Sequence, residues 1–257
     1  MSTNTLIVSD ASSSTLQIQL NRPHAYNALN TEMLCAIGQH LHDAQQRTEI
    51  QCVVITGNEK AFAAGSDVTE IQAINTGSYP ERERSVAWQQ IRSFPKPIIA
   101  AVNGFAFGGG CELAMHADIL IASNTAQFAQ PEVKLGLMPG AGGSQYLPAR
   151  VGKATAMLMN LTGMKVSAQR ALEIGLISEL VDADDALPRA LEIAELMSSM
   201  SQSALIANKR SVLRSFECPQ QEALLFERTL FLEQARSDDG IEGVTAFLDK
   251  RQPNFNA

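Results

Sequence analysis

Ile98-Ile99-Ala100-Ala101-Val102, then Asn103-Gly104-Phe105-Ala106-Phe107, then Gly108-Gly109-Gly110-Cys111-Glu112-Leu113-Ala114-Met115-His116 is the stretch that decides how this chain folds. Its first five residues are continuously apolar, the pattern of a strand covered on both faces. Gly109 to His116 reads as a helix, and Asp118 to Ala122 returns to an apolar strand. Pro95 and Pro97 fence off the segment before it, because proline withholds a backbone donor. Upstream the same order appears. Leu16, Ile18 and Leu20 alternate as in a strand that stops at Asn21-Arg22-Pro23. Met33, Leu34, Ile37, Leu41 and Ala44 recur at helical spacing, with Asn30 as N-cap, and Cys52-Val53-Val54-Ile55-Thr56-Gly57 is a buried strand ended by glycine. Strand, helix, strand, twice over, implies an α/β fold with parallel strands joined by helical crossovers.

Between these units, residues 69–94 carry Gly77, Pro80 and Glu81-Arg82-Glu83-Arg84, a helical excursion with a loose tip and a candidate flap. Arg82, Arg84 and Arg92 read as solvated. After Gly152 strand signals thin to Leu176–Val181, and helical patterns run from Ser167, Leu187, Ser203, Gln220 and Asp239. Met157 and Met159, beside Leu158 and Leu161, read as core packing.

The composition narrows the function. A chain of 257 residues that is 45% hydrophobic and 18% charged can bury one sizeable core, with or without a small second unit. A net charge of -7 and a pI near 5.2 supply no overall basic field for a nucleic-acid backbone. Cys35, Cys52, Cys111 and Cys218 are widely spaced, without a CxxC pair or histidines at zinc spacing, and read as reduced core residues with no metal site. Met1-Ser2-Thr3-Asn4-Thr5 has no basic n-region before an apolar h-region, and no apolar run reaches the ~18 residues of a membrane span. The expectation is a cytoplasmic protein without a membrane partner.

Glu112 and Glu132 carry the chemistry. They stand 20 positions apart in Gly108-Gly109-Gly110-Cys111-Glu112 and Gln130-Pro131-Glu132, carboxylates set beside residues valued for backbone shape. That placement suits proton transfer next to a charge-stabilising pocket. The glycine triplet admits two readings: amides aimed at an anion from a helix N-terminus, or a tight turn that needs positive φ. Phe62-Ala63-Ala64-Gly65-Ser66-Asp67 is a second glycine-containing turn, with Ser66 either a helix N-cap or an amide donor. Pro139-Gly140-Ala141-Gly142-Gly143-Ser144 lacks the βαβ context and acidic partner of a dinucleotide loop and reads as a structural turn. His24, His40, His42 and His116 form no HExxH pattern and are assigned no chemistry.

Together, residues 100–115, Ala126-Gln127-Phe128-Ala129-Gln130-Pro131-Glu132 and Leu137-Met138-Pro139-Gly140-Ala141-Gly142-Gly143 resemble the enoyl-CoA hydratase branch of the crotonase superfamily. The resemblance extends from Asn21-Arg22-Pro23 to Phe247-Leu248-Asp249-Lys250-Arg251. It implies a spiral of ββα units over residues 1–195 and a C-terminal helical oligomerisation region over 196–257 that builds a trimer or a dimer of trimers. By resemblance, the catalytic carboxylates are Glu112 and Glu132 and the oxyanion amides are those of Ser66 and Gly109. Coenzyme A, arriving as part of an acyl-CoA thioester, then lies along Arg22, Ala25, Ala28, Ala64, Gly65, Asp67 and Val68, with Phe231, Phe247 and Lys250 contributing from the C-terminal region. The implied activity is reversible hydration of a trans-2-enoyl-CoA, with no metal or redox cofactor. Δ3,Δ2-enoyl-CoA isomerisation, hydration of 2,3-dehydroadipyl-CoA and a non-enzymatic CoA- or RNA-binding role are the alternatives; a charged acyl tail would call on Arg82, Arg84 or Arg92. Three positions depart from the pattern: Ser66 stands for the commoner alanine, Ala129 for glycine and Tyr146 for arginine.

Overall fold

Each long apolar run forms a strand, and most are followed at once by a second, shorter strand that leaves for another sheet. The computed structural model describes residues 5–183 and 185–255; Met1–Asn4, read above for leader signals, lie outside them. The order is β1 (Leu6–Asp10), β2 (Thr15–Leu20), α1 (Thr31–Gln46), β3 (Cys52–Thr56), β4 (Ala61–Ala63), α2 (Val68–Gln72), α3 (Glu81–Ser93), β5 (Ile98–Val102), β6 (Phe105–Phe107) and α4 (Gly109–His116). It continues with β7 (Ile119–Ser123), β8 (Gln127–Ala129), α5 (Gly143–Thr162), β9 (Val166–Ser167), α6 (Ala168–Glu173), β10 (Glu179–Val181), α7 (Ala186–Ser198), α8 (Gln202–Arg214), α9 (Gln220–Ala235) and α10 (Asp238–Leu248).

The larger sheet runs β1-β2-β3-β5-β7-β10, antiparallel only between β1 and β2. The smaller runs β4-β6-β8-β9, with β9 antiparallel to β8. Winding from one sheet to the other and then through a helix gives the ββα spiral. The crossover reading of parallel strands is therefore right for the larger sheet, while β4, β6 and β8 correct the simple strand-helix-strand order. Each is three residues long, too short for a period of two to declare itself. Two boundaries also move: β7 begins at Ile119 rather than Asp118, and of Leu176–Val181 only β10 is strand.

Side chains alternate across the larger sheet, and both faces are covered. Val53, Ile55, Ile98, Ala100, Val102, Leu120 and Ala122 join the main core. Cys52, Val54, Ile99, Ala101 and Ile121 face Ala186, Ala190 and Ala194 of α7. Alanines at i, i+4 and i+8 let that helix lie close to the strands. Asn30 caps α1 by accepting from Met33 N at 3.0 Å. The other end of α1 is closed by Lys96, 3% exposed, whose Nζ donates to Ala44 O, Arg47 O and Ile50 O at 2.9, 2.7 and 2.7 Å. That satisfies carbonyls which the helix end leaves open.

The C-terminal helices behave differently. Within one chain α9 buries Leu230 and α10 buries Ala246, while Phe216, Leu225, Phe231, Val244 and Phe247 stay exposed. Met159 is buried but Met157 is about half exposed, so only one of the two methionines packs as expected. Among the described residues no helix is long and apolar enough to cross a membrane.

Candidate active site

The site begins with a close approach that only glycine permits. Gly108 turns from β6 into α4 with φ +49°, and a Cβ on Gly110 would stand 2.1 Å from Ala63 O on β4. Nothing larger fits without moving backbone, so the reading of the triplet as a tight turn holds, and the same glycines let α4 approach β4 closely. A Cβ on Gly109 would lie 3.2 Å from Ser66 N, which sets the two candidate amides side by side. Leu29 bridges that loop using Gly65 O and Asp67 N, at 2.7 and 3.1 Å. Pairing through those neighbours turns the intervening Ser66 N–H away from Leu29. The N-cap of α2 is Asp67, accepting from Thr69 N at 3.1 Å, and not Ser66.

Glu112 occupies the first turn of α4 and is 2% exposed. Its Oε1 accepts from Ala141 N at 2.7 Å and Gly143 N at 2.8 Å. Burial raises its pKa, and the N–H groups of Gly143, Ala141 and Gly142 oppose that rise by favouring the ionised form. The Pro139–Ser144 segment is thus a turn, as expected, but one whose amides hold the carboxylate. Glu132 follows β8 and is set differently. Burial pushes its pKa up to about 7, its own backbone N–H works against this, and the nearby Glu112 charge adds to it. The fully buried Gln130, with its amide nitrogen turned to the carboxylate, donates to Glu132 Oε1 and Oε2 at 3.0 and 3.2 Å. Ala129 has no positive φ, so alanine there carries no strain.

Both glutamates and the Ser66 and Gly109 turns line one cavity of about 280 Å³. Its other wall comes from residues 68–88: Val68, Ile71, Ile74, Tyr79, Arg84 and Trp88, joined by Leu137 and Met138. The expected flap is therefore a wall of the site. Arg82 and Arg92 are exposed as expected, but Arg84 is not. It is 4% exposed and its Nη1 donates to Glu70 Oε2 at 2.9 Å, while Glu70 also accepts from Thr31 N and Oγ1. With α3 packed on α1, one cation of the charged run is turned inward, which composition does not reveal.

Arg22 pairs with Asp67 at 3.0 Å, and Ala64 N donates to Tyr26 O at 2.9 Å. Asn27, with φ +57°, ties the same loop to β4 through Ala61 O and Phe62 O. The loop from Arg22 to Leu29 is thereby tied to Ala64, Gly65 and Asp67. Phe231 and Phe247 on the C-terminal helices, and Lys250 in the turn after α10, are exposed and do not line the cavity of their own chain. Among the described residues no three His, Cys, Asp or Glu side chains cluster as metal ligands, and the four cysteines are free. Two amides beside two carboxyls in different hydrogen-bonding surroundings can hold a developing oxyanion while protons are moved next to it.

This fold and site place the chain in a family: residues 10–257 match the model of the enoyl-CoA hydratase/isomerase family, and the chain belongs to it. It is 45% identical over 238 residues to a probable enoyl-CoA hydratase of Mycobacterium leprae, covering 93% of each chain. It is 43% identical over 240 residues to the 2,3-dehydroadipyl-CoA hydratase of Escherichia coli, covering 93% of this chain and 94% of that one. Among solved structures, an enoyl-CoA hydratase subunit of Geobacillus kaustophilus superposes with a TM-score of 0.91 at 33% identity, over 98% of both chains.

Proposed function

We propose that the protein is an enoyl-CoA hydratase, adding water reversibly across the 2,3 double bond of a trans-2-enoyl-CoA to give a 3-hydroxyacyl-CoA. The observation that carries this is the unlike setting of the two carboxylates beside paired amides. Glu112, held by main-chain N–H groups that favour its anion, serves as the base that activates water for attack at C3. Glu132, protonated up to about pH 7, serves as the acid at C2. The Ser66 and Gly109 amides receive the thioester oxygen, so that negative charge moves onto it as C3 is attacked. One such donor is worth about 10²–10³-fold in rate and one positioned acid or base about 10²–10⁴-fold. The chemistry so written needs no metal or redox cofactor, and coenzyme A enters as part of the substrate.

For the acyl chain, a neutral tail is favoured. Arg84 is the cation of the cavity wall, but Glu70 already neutralises it and Glu81 stands close by on the same wall. Hydration of 2,3-dehydroadipyl-CoA is the second reading, supported by the named relative and by the presence of Arg84 at all. We further propose that residues 196–257 assemble copies of the chain into a trimer or a dimer of trimers, in the cytoplasm, covering the exposed apolar side chains of α8–α10. Phe231, Phe247 and Lys250 then reach coenzyme A from that region. The test is turnover of crotonyl-CoA, longer enoyl-CoAs and 2,3-dehydroadipyl-CoA in ¹⁸O-labelled water. Label at C3 is expected, with higher kcat/KM for neutral chains; double-bond migration without label would make the protein an isomerase instead.

A further inference from the structure

His116, part-buried at the end of α4, is a titratable group that the proposed mechanism leaves unused. It ends α4 four residues after Glu112 and so lies on the same face of the helix. Its Nε2 is 2.9 Å from Ala141 O. Because a carbonyl oxygen only accepts, Nε2 carries the proton. Ala141 is also the residue whose N–H reaches Glu112 Oε1 at 2.7 Å, with Gly143 N at 2.8 Å on the same oxygen. Between them, the Ala141 carbonyl and the Gly142 N–H belong to one peptide group. A donor on that carbonyl polarises the group and strengthens the Gly142 N–H that also faces the carboxylate.

The imidazole is fixed on both sides. Trp88, whose other surface lines the cavity, lies 5.3 Å away and tilted by 46°; Tyr146 meets it edge-on at 4.8 Å. Tyr146 also packs on Gly142, where φ is +119° and a Cβ would stand 2.4 Å from the phenol ring. Three rings thus surround the loop that presents its amides to Glu112.

We propose that His116 is a positioning residue for the hydration step, holding through Ala141 the loop that aims Glu112; this rests on the hydratase reading above. Burial, with Arg92 of α3 and Arg150 of α5 nearby, pulls the imidazole pKa down to about 4, so the ring is neutral above that pH. Glu112 in turn acts on Glu132, and both carboxyls, with Arg150, act on the buried Cys111 thiol beside them.

The experiment compares wild type, His116→Phe, which keeps a ring and loses the donor, and His116→Gln, whose amide restores an N–H near Nε2. Turnover of crotonyl-CoA is followed against pH, and the Glu112 carboxyl is titrated by ¹³C NMR. In H116F, kcat falls about 10- to 100-fold with little change in KM, as for a misplaced catalytic group. The Glu112 pKa rises, so the acidic limb of kcat/KM moves to higher pH. H116Q recovers most of both. A Glu112 titration and kcat unchanged in H116F, or H116Q behaving as H116F does, overturns the proposal. Should H116F not fold, His116→Asn removes the reach to Ala141 with a smaller side chain and the same expectations. An inactive wild type speaks against the hydratase reading alone, because the Glu112 titration still decides the role of His116.

Discussion

The two walls of the cavity are held by opposite means. On the side of α4, Glu112 is fixed by main-chain N–H groups of Ala141 and Gly143, and the candidate oxyanion donors are main-chain amides as well. On the side of α2 and α3, Arg84, Glu70 and Thr31 hold one another by side chains. A backbone donor survives almost any substitution at its own position and is lost only if the chain moves. A side-chain wall changes with each residue exchanged. On the proposed hydratase reading, the reacting end of the substrate would meet the backbone wall and the acyl tail the adjustable one.

The sharpest way to break this contrast is at the carboxylates. Glu112→Gln and Glu132→Gln should each lower kcat by about 10²–10⁴-fold while leaving coenzyme A affinity nearly intact, read from steady-state kinetics and product inhibition by CoA. Next comes the pH profile. In the proposed mechanism Glu132 acts in its protonated form, and burial pushes its pKa up to about 7, so above that value kcat/KM should fall about tenfold per pH unit as the proton is lost. Glu132→Gln should abolish that basic limb, and its persistence would assign it to another group.

Gly110→Ala tests the backbone wall without touching a functional side chain. The added Cβ meets Ala63 O at 2.1 Å, so α4 must shift away from β4, with about 1–3 kcal/mol lost from thermal or urea unfolding. Turnover should fall about tenfold or more as the Gly109 amide leaves its place. Arg84→Met has the smallest effect on chemistry: stability falls by about 2 kcal/mol, since Glu70 keeps some contact with solvent, and kcat for crotonyl-CoA stays within a few-fold of wild type. A large loss of kcat in Arg84→Met would show the two walls to be coupled rather than separate.

What could be read from the letters follows the same division. Residues 52–56 and 98–102, the helix bearing Glu112 and the glycine triplet all announce themselves through uninterrupted burial or backbone necessity. The short strands β4, β6 and β8 do not, and α5 is obscured by Pro148 and by Gly152, where φ reaches +74° inside the helical run. At the site, both glutamates were legible as residue types. The amides of Ala141 and Gly143 were not, because any non-proline residue carries an N–H and only the fold says which way it points. Arg84 belonged to a charged run that resembles a solvated face, and its burial depends on α3 lying against α1. His116 had no motif around it; its meaning lies in a carbonyl 25 positions further along the chain.

Lys96 closes α1 by giving its ammonium to three carbonyls, with burial lowering its pKa. An amine so enclosed is a clock for local opening. Acylating reagents reach it only when the end of α1 opens, so the rate at which Lys96 is labelled, set against its exposed counterparts, measures how often that end lets go.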